Sequence, residues 1–449
     1  MSIVDTMVHC FLYEKTYSPS QQQAFQEKQL HKLVRYVKAN SPYFGELYKN
    51  IGENFSLRDL PITSKQMIME NYDRWTTDPQ VKLEDVREFV RHKENIGRPY
   101  CGKYLVASTS GSTGYPLHFL MNKKIVNVST CTALLTKALS RTPVALVYPA
   151  HLFLIENAAI IQNMYRFPHI MKHSFPLVDA MQDPEQIAAE LNRIKPKTVY
   201  AYTSVIESIA EQAERGNLTA QIREVVCCSE KLTEKSRHYI EDQLHCVVRS
   251  IYGCTEGGNI GIDCPQGHMH LFNPYVILEL VDEHNQPVKP GEKAYKVLLT
   301  NLASDTLPII RYELMDHLTL HEEGCACHGR QPWIEMEGRS GLDLLEFSGG
   351  KKVAPVLVYF VVELMDTLRK FQIILHDGDV LEFRAVFMPG VDQQAVFEEA
   401  KQKVMAYLHE CGVDSATMYL SPEPPAVNPV NQKFKSVYQV HDRKKAGDC

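Results

Sequence analysis

The chain has 449 residues, too long for one ordinary hydrophobic core, so two or more domains are expected. An apolar fraction of 44% with 23% charged residues is that of a globular protein and excludes extended disorder. A net charge of −6 with scattered Lys and Arg leaves no basic footprint for nucleic acid, and none is expected as a partner.

The first residues (Met1–Lys15) carry Asp5, His9 and Glu14 and lack the basic start and apolar run of a signal peptide. Helical spacing covers Ser20 to Lys49, with Leu30, Leu33, Val34 and Val37 on one face. The proline turn Asp59-Leu60-Pro61-Ile62-Thr63-Ser64-Lys65 then opens a helix over Gln66–Tyr72. Val144–Ile161 is the most apolar region, but Pro149, His151, Glu156 and Asn157 make it a buried strand and helix, not a membrane span.

The middle of the chain alternates helix and strand. Pro184–Ile194, Ser204–Arg215 and Leu232–Leu244 read as helices, the second stopped by Gly216. Lys197–Tyr202, Glu224–Cys228 and Cys246–Tyr252 read as strands. This alternation predicts an α/β fold, a large N-terminal domain of parallel or mixed sheets covered by helices. Beyond Gly338-Arg339 the texture changes. Helices are predicted at Pro355–Leu368 and Gln393–Cys411, and strands at Phe371–Leu375 and Leu381–Met388 around the turn His376-Asp377-Gly378-Asp379. The expected division is residues 1–341 and a small, mobile α+β lid domain of residues 342–449. Twelve cysteines without secretory features point to reduced thiols and a cytoplasmic location.

Ser108-Thr109-Ser110-Gly111-Ser112-Thr113-Gly114-Tyr115-Pro116 is the most informative stretch. Its glycines let backbone N–H groups converge on an anion, and its hydroxyls add donors for phosphate oxygens. No Gly-Lys-Ser/Thr follows, so it is not a Walker loop; taken alone it reads equally well as a solvated Ser/Gly turn.

In this context the stretch resembles the phosphate-binding signature of the adenylate-forming superfamily. Four further motifs follow in that family's order. Ile251–Gly257 resembles Tyr-Gly-x-Thr-Glu, and Ile310–Asp316 resembles Arg-Tyr-…-Asp. Gly338-Arg339 with Ser348–Val353 is similar to the hinge region, and Gln432-Lys433-Phe434-Lys435 to the stretch carrying the catalytic lysine. Asp59–Lys65, the chain length and a Cys/His set are closest to the phenylacetate–CoA ligase and coenzyme F390 synthetase branch.

The resemblance implies ATP-dependent activation of a carboxylic acid, aryl or arylacetic by branch, as an acyl-AMP. The acyl group then passes to the thiol of CoA or of a carrier-protein phosphopantetheine. Alternatives are nucleotidyl transfer of the F390-synthetase type, without a thiol step, and an inactive ligase-like binding protein. Thr109, Ser110, Gly111, Ser112, Thr113 and Gly114 would hold the β- and γ-phosphates, and Tyr252 would stack on adenine. Thr255 would bond the α-phosphate and Glu256 would ligate Mg²⁺. Asp316 would bind the ribose hydroxyls and Arg339 a ribose or phosphate oxygen. Lys433 would bridge the α-phosphate and the acid, with Lys435 its rival.

Three departures stand out: Gln432 where glycine is usual, Cys228-Ser229-Glu230 for the adenine-contact Ser-Gly-Glu, and a single hinge acid, Asp343. Cys264, His270, Cys325 and Cys327 supply four ligands suited to a structural zinc, with His268 and His328 as alternatives. The acid pocket is expected from Tyr148–Asn157 and Tyr200–Ser204. A homodimer remains open.

Overall fold

The computed structural model describes residues 3–109, 117–135, 143–148, 153, 174–230, 232, 234–314, 316–322, 324–327, 331–339, 345–353, 355–363, 365–426 and 436–440. Its centre is a nine-stranded mixed sheet. Leu177–Asp179, Val144–Tyr148, Thr198–Tyr202, Glu224–Cys228 and Val247–Cys254 run parallel as neighbours in that order. Gly258–Asp263, Met269–Leu271, Trp333–Arg339 and Asp316–His321 extend it antiparallel. The three central parallel strands, Val144–Tyr148, Thr198–Tyr202 and Glu224–Cys228, are buried along nearly their whole length because helices cover them, which is why they read as apolar runs. The α/β expectation therefore holds.

The covering helices start and stop where local chemistry dictates. Asp183 caps Pro184–Ile194, its carboxylate accepting from Glu185 N with proline in the first turn. Thr203–Glu214 gives way to Gly216 at φ +77°, a left-handed turn that ends the helix. Two expectations are corrected. The predicted Ser20–Lys49 helix is two, Pro19–Asn40 and Pro42–Leu47. Ser41 precedes a proline, which disfavours helical backbone, and its hydroxyl instead caps the second helix and donates to Trp75 O at 2.8 Å. Pro355–Leu368 shortens to Pro355–Glu363, because Leu368 already belongs to a strand.

A second core unites the N-terminal helices, the hairpin Leu105–Ser108/His118–Met121 and the three-stranded sheet of Val276–Val281, Lys296–Asn301 and Tyr312–Leu314. The proline turn at 59–65 docks on this sheet's edge. Thr63 N donates to Arg311 O at 3.0 Å, Glu313 N donates to Thr63 O at 2.9 Å, and Ser64 caps the helix Lys65–Trp75. The C-terminal part is a four-stranded sheet ordered Thr417–Leu420, Val380–Phe387, Leu368–His376, Val437–Gln439. The helices Pro355–Glu363 and Gln393–Glu410 pack on it, and its apolar side is continuous with the core of the parallel sheet. Among the described residues no helix is long and apolar enough to cross a membrane.

Candidate active site

In open α/β sheets the ligand crevice lies beyond the carboxyl ends of the parallel strands. Among the described residues, the Tyr252–Glu256 motif lies at that end of the sheet. Val247–Cys254 ends in the turn Thr255-Glu256-Gly257 and returns as Gly258–Asp263. This hairpin requires its glycines: a Cβ on Gly253 would lie 2.6 Å from Gly258 O, and Gly258 has φ +66°.

Tyr252 is 2% exposed, and its hydroxyl donates to Asp316 Oδ2 at 2.7 Å across 64 residues of chain. Asp316 pairs in register with Arg339 on the neighbouring strand, so the three residues named for the nucleoside lie on adjacent backbone. Glu256 is buried, and one of its carboxylate oxygens accepts from Tyr312 Oη at 3.0 Å. Burial, reinforced by the Glu256 charge, pushes the Tyr312 phenol well above its ordinary range. Asn301 Nδ2 donates to Glu256 O at 2.7 Å and holds the turn. Thr255 is half-buried beside it.

Glu230 is buried after the strand Glu224–Cys228, its carbonyl accepting from Thr203 Oγ1 at 3.3 Å. Ser229 sits at φ +62°, the left-handed region. The position where the family carries glycine thus keeps a glycine conformation although the side chain has changed. Tyr148, Tyr202 and Cys228 close the carboxyl ends of three adjacent strands. The Tyr148 hydroxyl lies 2.8 Å from Cys228 Sγ, and the Tyr148 and Tyr202 rings meet edge-on at 5.6 Å.

At the phosphate stretch, Thr109 N donates to Leu117 O at 3.0 Å and Leu117 N donates to Thr109 Oγ1 at 2.8 Å. These bonds tie Thr109 to Leu117. Ser110, Gly111, Ser112, Thr113 and Gly114 lie outside the described residues, as do Asp343, Lys433, Lys435, His328 and the Arg339 side chain.

Two features escape sequence reasoning. Lys65 Nζ donates to Thr109 Oγ1 at 3.5 Å, bringing a cation to the base of the phosphate stretch. Arg311, the arginine of the Arg-Tyr motif, is a scaffold residue here. It donates to Glu279 at 3.0 and 3.1 Å and to the carbonyls of Arg58 and Leu60 at 3.1 and 2.6 Å.

Cys264, His270, Cys325 and Cys327 present ligand atoms that all lie within 4.8 Å of one another. Tetrahedral zinc would set sulfur–sulfur edges near 3.8 Å and sulfur–nitrogen edges near 3.6 Å (order-of-magnitude geometry from ordinary Zn–S and Zn–N lengths). Cys264 and Cys325 are 3.7 Å apart, and Cys327 Sγ lies 3.3 Å from His270 Nε2. His270 Nδ1 faces Gln331 O at 2.8 Å, so its proton goes to that carbonyl and Nε2 keeps its lone pair toward the cluster. His268 instead places Nδ1 3.2 Å from Cys325 Sγ, a contact from outside the four-ligand cluster. The donor set fits zinc, with His270 the better-placed ligand.

No family model matches the sequence. The chain is 22% identical to Protein CapK of Staphylococcus aureus, over 66% of this chain and 63% of that protein's length. It is 21% identical to the phenylacetate-coenzyme A ligase of Thermus thermophilus, covering 68% and 67% of the two chains. Among solved structures, 2-hydroxyisobutyryl-CoA ligase in its thioesterification state superposes with a TM-score of 0.64, at 15% identity, over 96% of this chain and 92% of the other. The chain is similar in sequence to these curated proteins and in fold to adenylate-forming ligases. Two of the curated relatives are phenylacetate-coenzyme A ligases, at 21% and 22% identity. The likeness agrees with the order of the five motifs along the sequence.

Proposed function

We propose that the protein is an AMP-forming acid–thiol ligase. A carboxylate oxygen attacks the α-phosphorus of ATP, pyrophosphate leaves, and a mixed anhydride forms. A thiol then attacks its carbonyl carbon, AMP leaves, and the thiol proton passes to solvent. The observation that carries this reading is the buried constellation Tyr252–Asp316 and Glu256–Tyr312, set in motif order at the crevice of the sheet. Names of relatives support CoA as acceptor, because those proteins are CoA ligases.

Each residue does defined work on this account. Asp316, oriented by the Tyr252 hydroxyl, accepts from the ribose hydroxyls. Thr109, Ser110, Gly111, Ser112, Thr113 and Gly114 hold the β- and γ-phosphates. Glu256 would hold Mg²⁺, which neutralises phosphate charge when bound; a carboxylate beside a half-buried threonine suits a hard cation. Lys433 delivers a positive charge to the α-phosphate and the acid, and residues 342–449 act as the lid that brings it. Tyr148, Tyr202 and Cys228 line the acid pocket, whose aromatic walls favour an aryl or arylacetic acid. Cys264, His270, Cys325 and Cys327 hold a structural zinc, with no open position for substrate.

The test is a pyrophosphate-release screen over aryl, arylacetic and fatty acids, each with and without CoA. Acid-dependent release, with a thioester formed only when CoA is present, is expected. Release without acid, with AMP retained on another acceptor, would move the reading to nucleotidyl transfer.

A further inference from the structure

Two buried thiols that the ligase reading does not use meet where the helix Ile3–Lys15 packs on the helix Lys123–Leu135. Cys10 and Cys131 are fully buried, neither is in a disulfide, and their side chains are hydrogen-bonded to one another. Cys131 Sγ also lies 3.9 Å from Ile3 O, in the first turn of the same helix. The shared hydrogen bond divides the roles. The Cys10 thiol is pushed up by that bond and by burial, whereas the same bond pulls the Cys131 thiol down against the effect of burial. The hydrogen therefore stays on Cys10, and Cys131 is the sulfur that ionises first.

The pair lies behind the hairpin that carries Glu256. Lys123–Leu135 packs on Gly258–Asp263, where a Cβ on Gly258 would lie 3.7 Å from Ser129 Oγ. Tyr275 Oη lies 3.4 Å from His9 Nδ1 on the first helix, and Asn273 Nδ2 donates to Asn259 O at 2.8 Å in the hairpin. The first helix meets this packing by a narrow side. Thr6, Cys10 and Tyr13 are buried, whereas Ile3, Val4, Met7, Val8 and Phe11 are exposed. A helix with so few buried side chains opens locally at low cost, and opening admits a small oxidant to both sulfurs.

We infer that Cys10 and Cys131 are a redox pair that closes to a disulfide under hydrogen peroxide and fastens the first helix to the helix behind the Glu256 hairpin. The Cys131 thiolate attacks one peroxide oxygen and the O–O bond breaks. The departing hydroxide takes up the proton that Cys131 released, giving water and leaving a sulfenic acid. The Cys10 sulfur then attacks the Cys131 sulfur, so that the S–S bond forms and the S–O bond breaks. The second hydroxide leaves with the Cys10 proton as water. Two thiols are oxidised, one peroxide is reduced, and a dithiol reductant reverses the step by exchange.

The test treats the full-length protein with hydrogen peroxide, unfolds it in an alkylating agent and maps the peptides by mass spectrometry without reduction. A peptide pair joined through Cys10 and Cys131 is expected, and dithiothreitol should abolish it. Because the bond closes a long loop, Tm should rise by about 5 °C on oxidation. Amide exchange within Ile3–Lys15 should slow by about tenfold, since the helix can no longer open freely. Cys10→Ser should lose both shifts, and Cys101→Ser, at an exposed thiol, should keep them. Recovery of Cys10 and Cys131 as alkylated thiols while Cys101 is oxidised would overturn the pair, as would Cys131 joined to a third cysteine. Both of those results are read on the wild-type chain and need no variant to fold.

Discussion

Removing zinc from the Cys264–His270–Cys325–Cys327 cluster should loosen one end of the large sheet without unfolding the site. The cluster brings Cys264, just after the strand Gly258–Asp263, and His270, within the strand Met269–Leu271, to Cys325 and Cys327, which lie between Asp316–His321 and Trp333–Arg339. An ion present at a thousandfold over its dissociation constant stabilises the folded state by about 4 kcal/mol. Unfolding entropy of about 2.1 cal/mol/K per residue, applied to a chain of 449 residues, gives about 0.9 kcal/mol/K, so Tm should fall by about 4 °C. A smaller cooperative unit would shift proportionally more. Elemental analysis should find about one zinc per chain, and chelation or Cys327→Ser should produce the Tm loss. Substitution of the exposed Cys101 should not.

A built-in reporter sharpens the test. The chain has two tryptophans, and Trp333 is stacked between His268 at 4.1 Å and His321 at 3.9 Å, whereas Trp75 is fully buried elsewhere. Emission from Trp333 should change on metal removal and return on adding zinc. A folded protein without zinc, whose Tm and emission ignore both chelator and added zinc, would refute the cluster.

Two other perturbations test the physical account. Ser229→Gly should stabilise the protein by about 1 kcal/mol, because Ser229 holds a left-handed backbone at φ +62° that costs a residue with a Cβ; an unchanged or lower denaturant midpoint contradicts this. Glu382 is buried, which raises its carboxyl, but hydrogen bonds from Arg384 Nε at 2.7 Å, Ser421 Oγ at 2.7 Å and His376 Nε2 at 2.8 Å outweigh burial and hold it down at about 2. A folded value below the unfolded 4.5 means stabilisation of roughly 3 kcal/mol at most, fully present above pH 4.5 and lost as pH falls through about 2. Glu382→Gln should therefore lower Tm at pH 7 and converge with wild type toward pH 2. A Tm difference independent of pH would contradict the linkage.

Much of the scaffold was legible in the sequence. Glu224–Cys228 and Pro184–Ile194 appear at their predicted bounds because an unbroken apolar run and an Asp-Pro start are local signals. The turn His376–Asp379 joins its two strands as expected, with Gly378 at φ +78°. Short Cys/His spacings are local signals, and Cys264, His270, Cys325 and Cys327 do lie together in the structure. Contacts between distant residues were not legible. Nothing near Arg311 in sequence marks it as the partner of Glu279, so a motif arginine and a buried scaffold arginine look alike. The same holds for Tyr252 with Asp316. The helix Ile3–Lys15 went unread because Val4, Val8 and Phe11 lie on its exposed side, which blurs any amphipathic period.

The central claim is that the chain makes an acyl-adenylate with a lysine delivered by its C-terminal part. Acid-dependent exchange of labelled pyrophosphate into ATP, measured for wild type and Lys433→Ala beside thioester formation from supplied acyl-AMP, tests it directly. The account predicts exchange in the wild type, its loss by orders of magnitude in Lys433→Ala, and thioester formation little changed. Absence of exchange with every acid tried, or equal loss of both half-reactions in the variant, would contradict it.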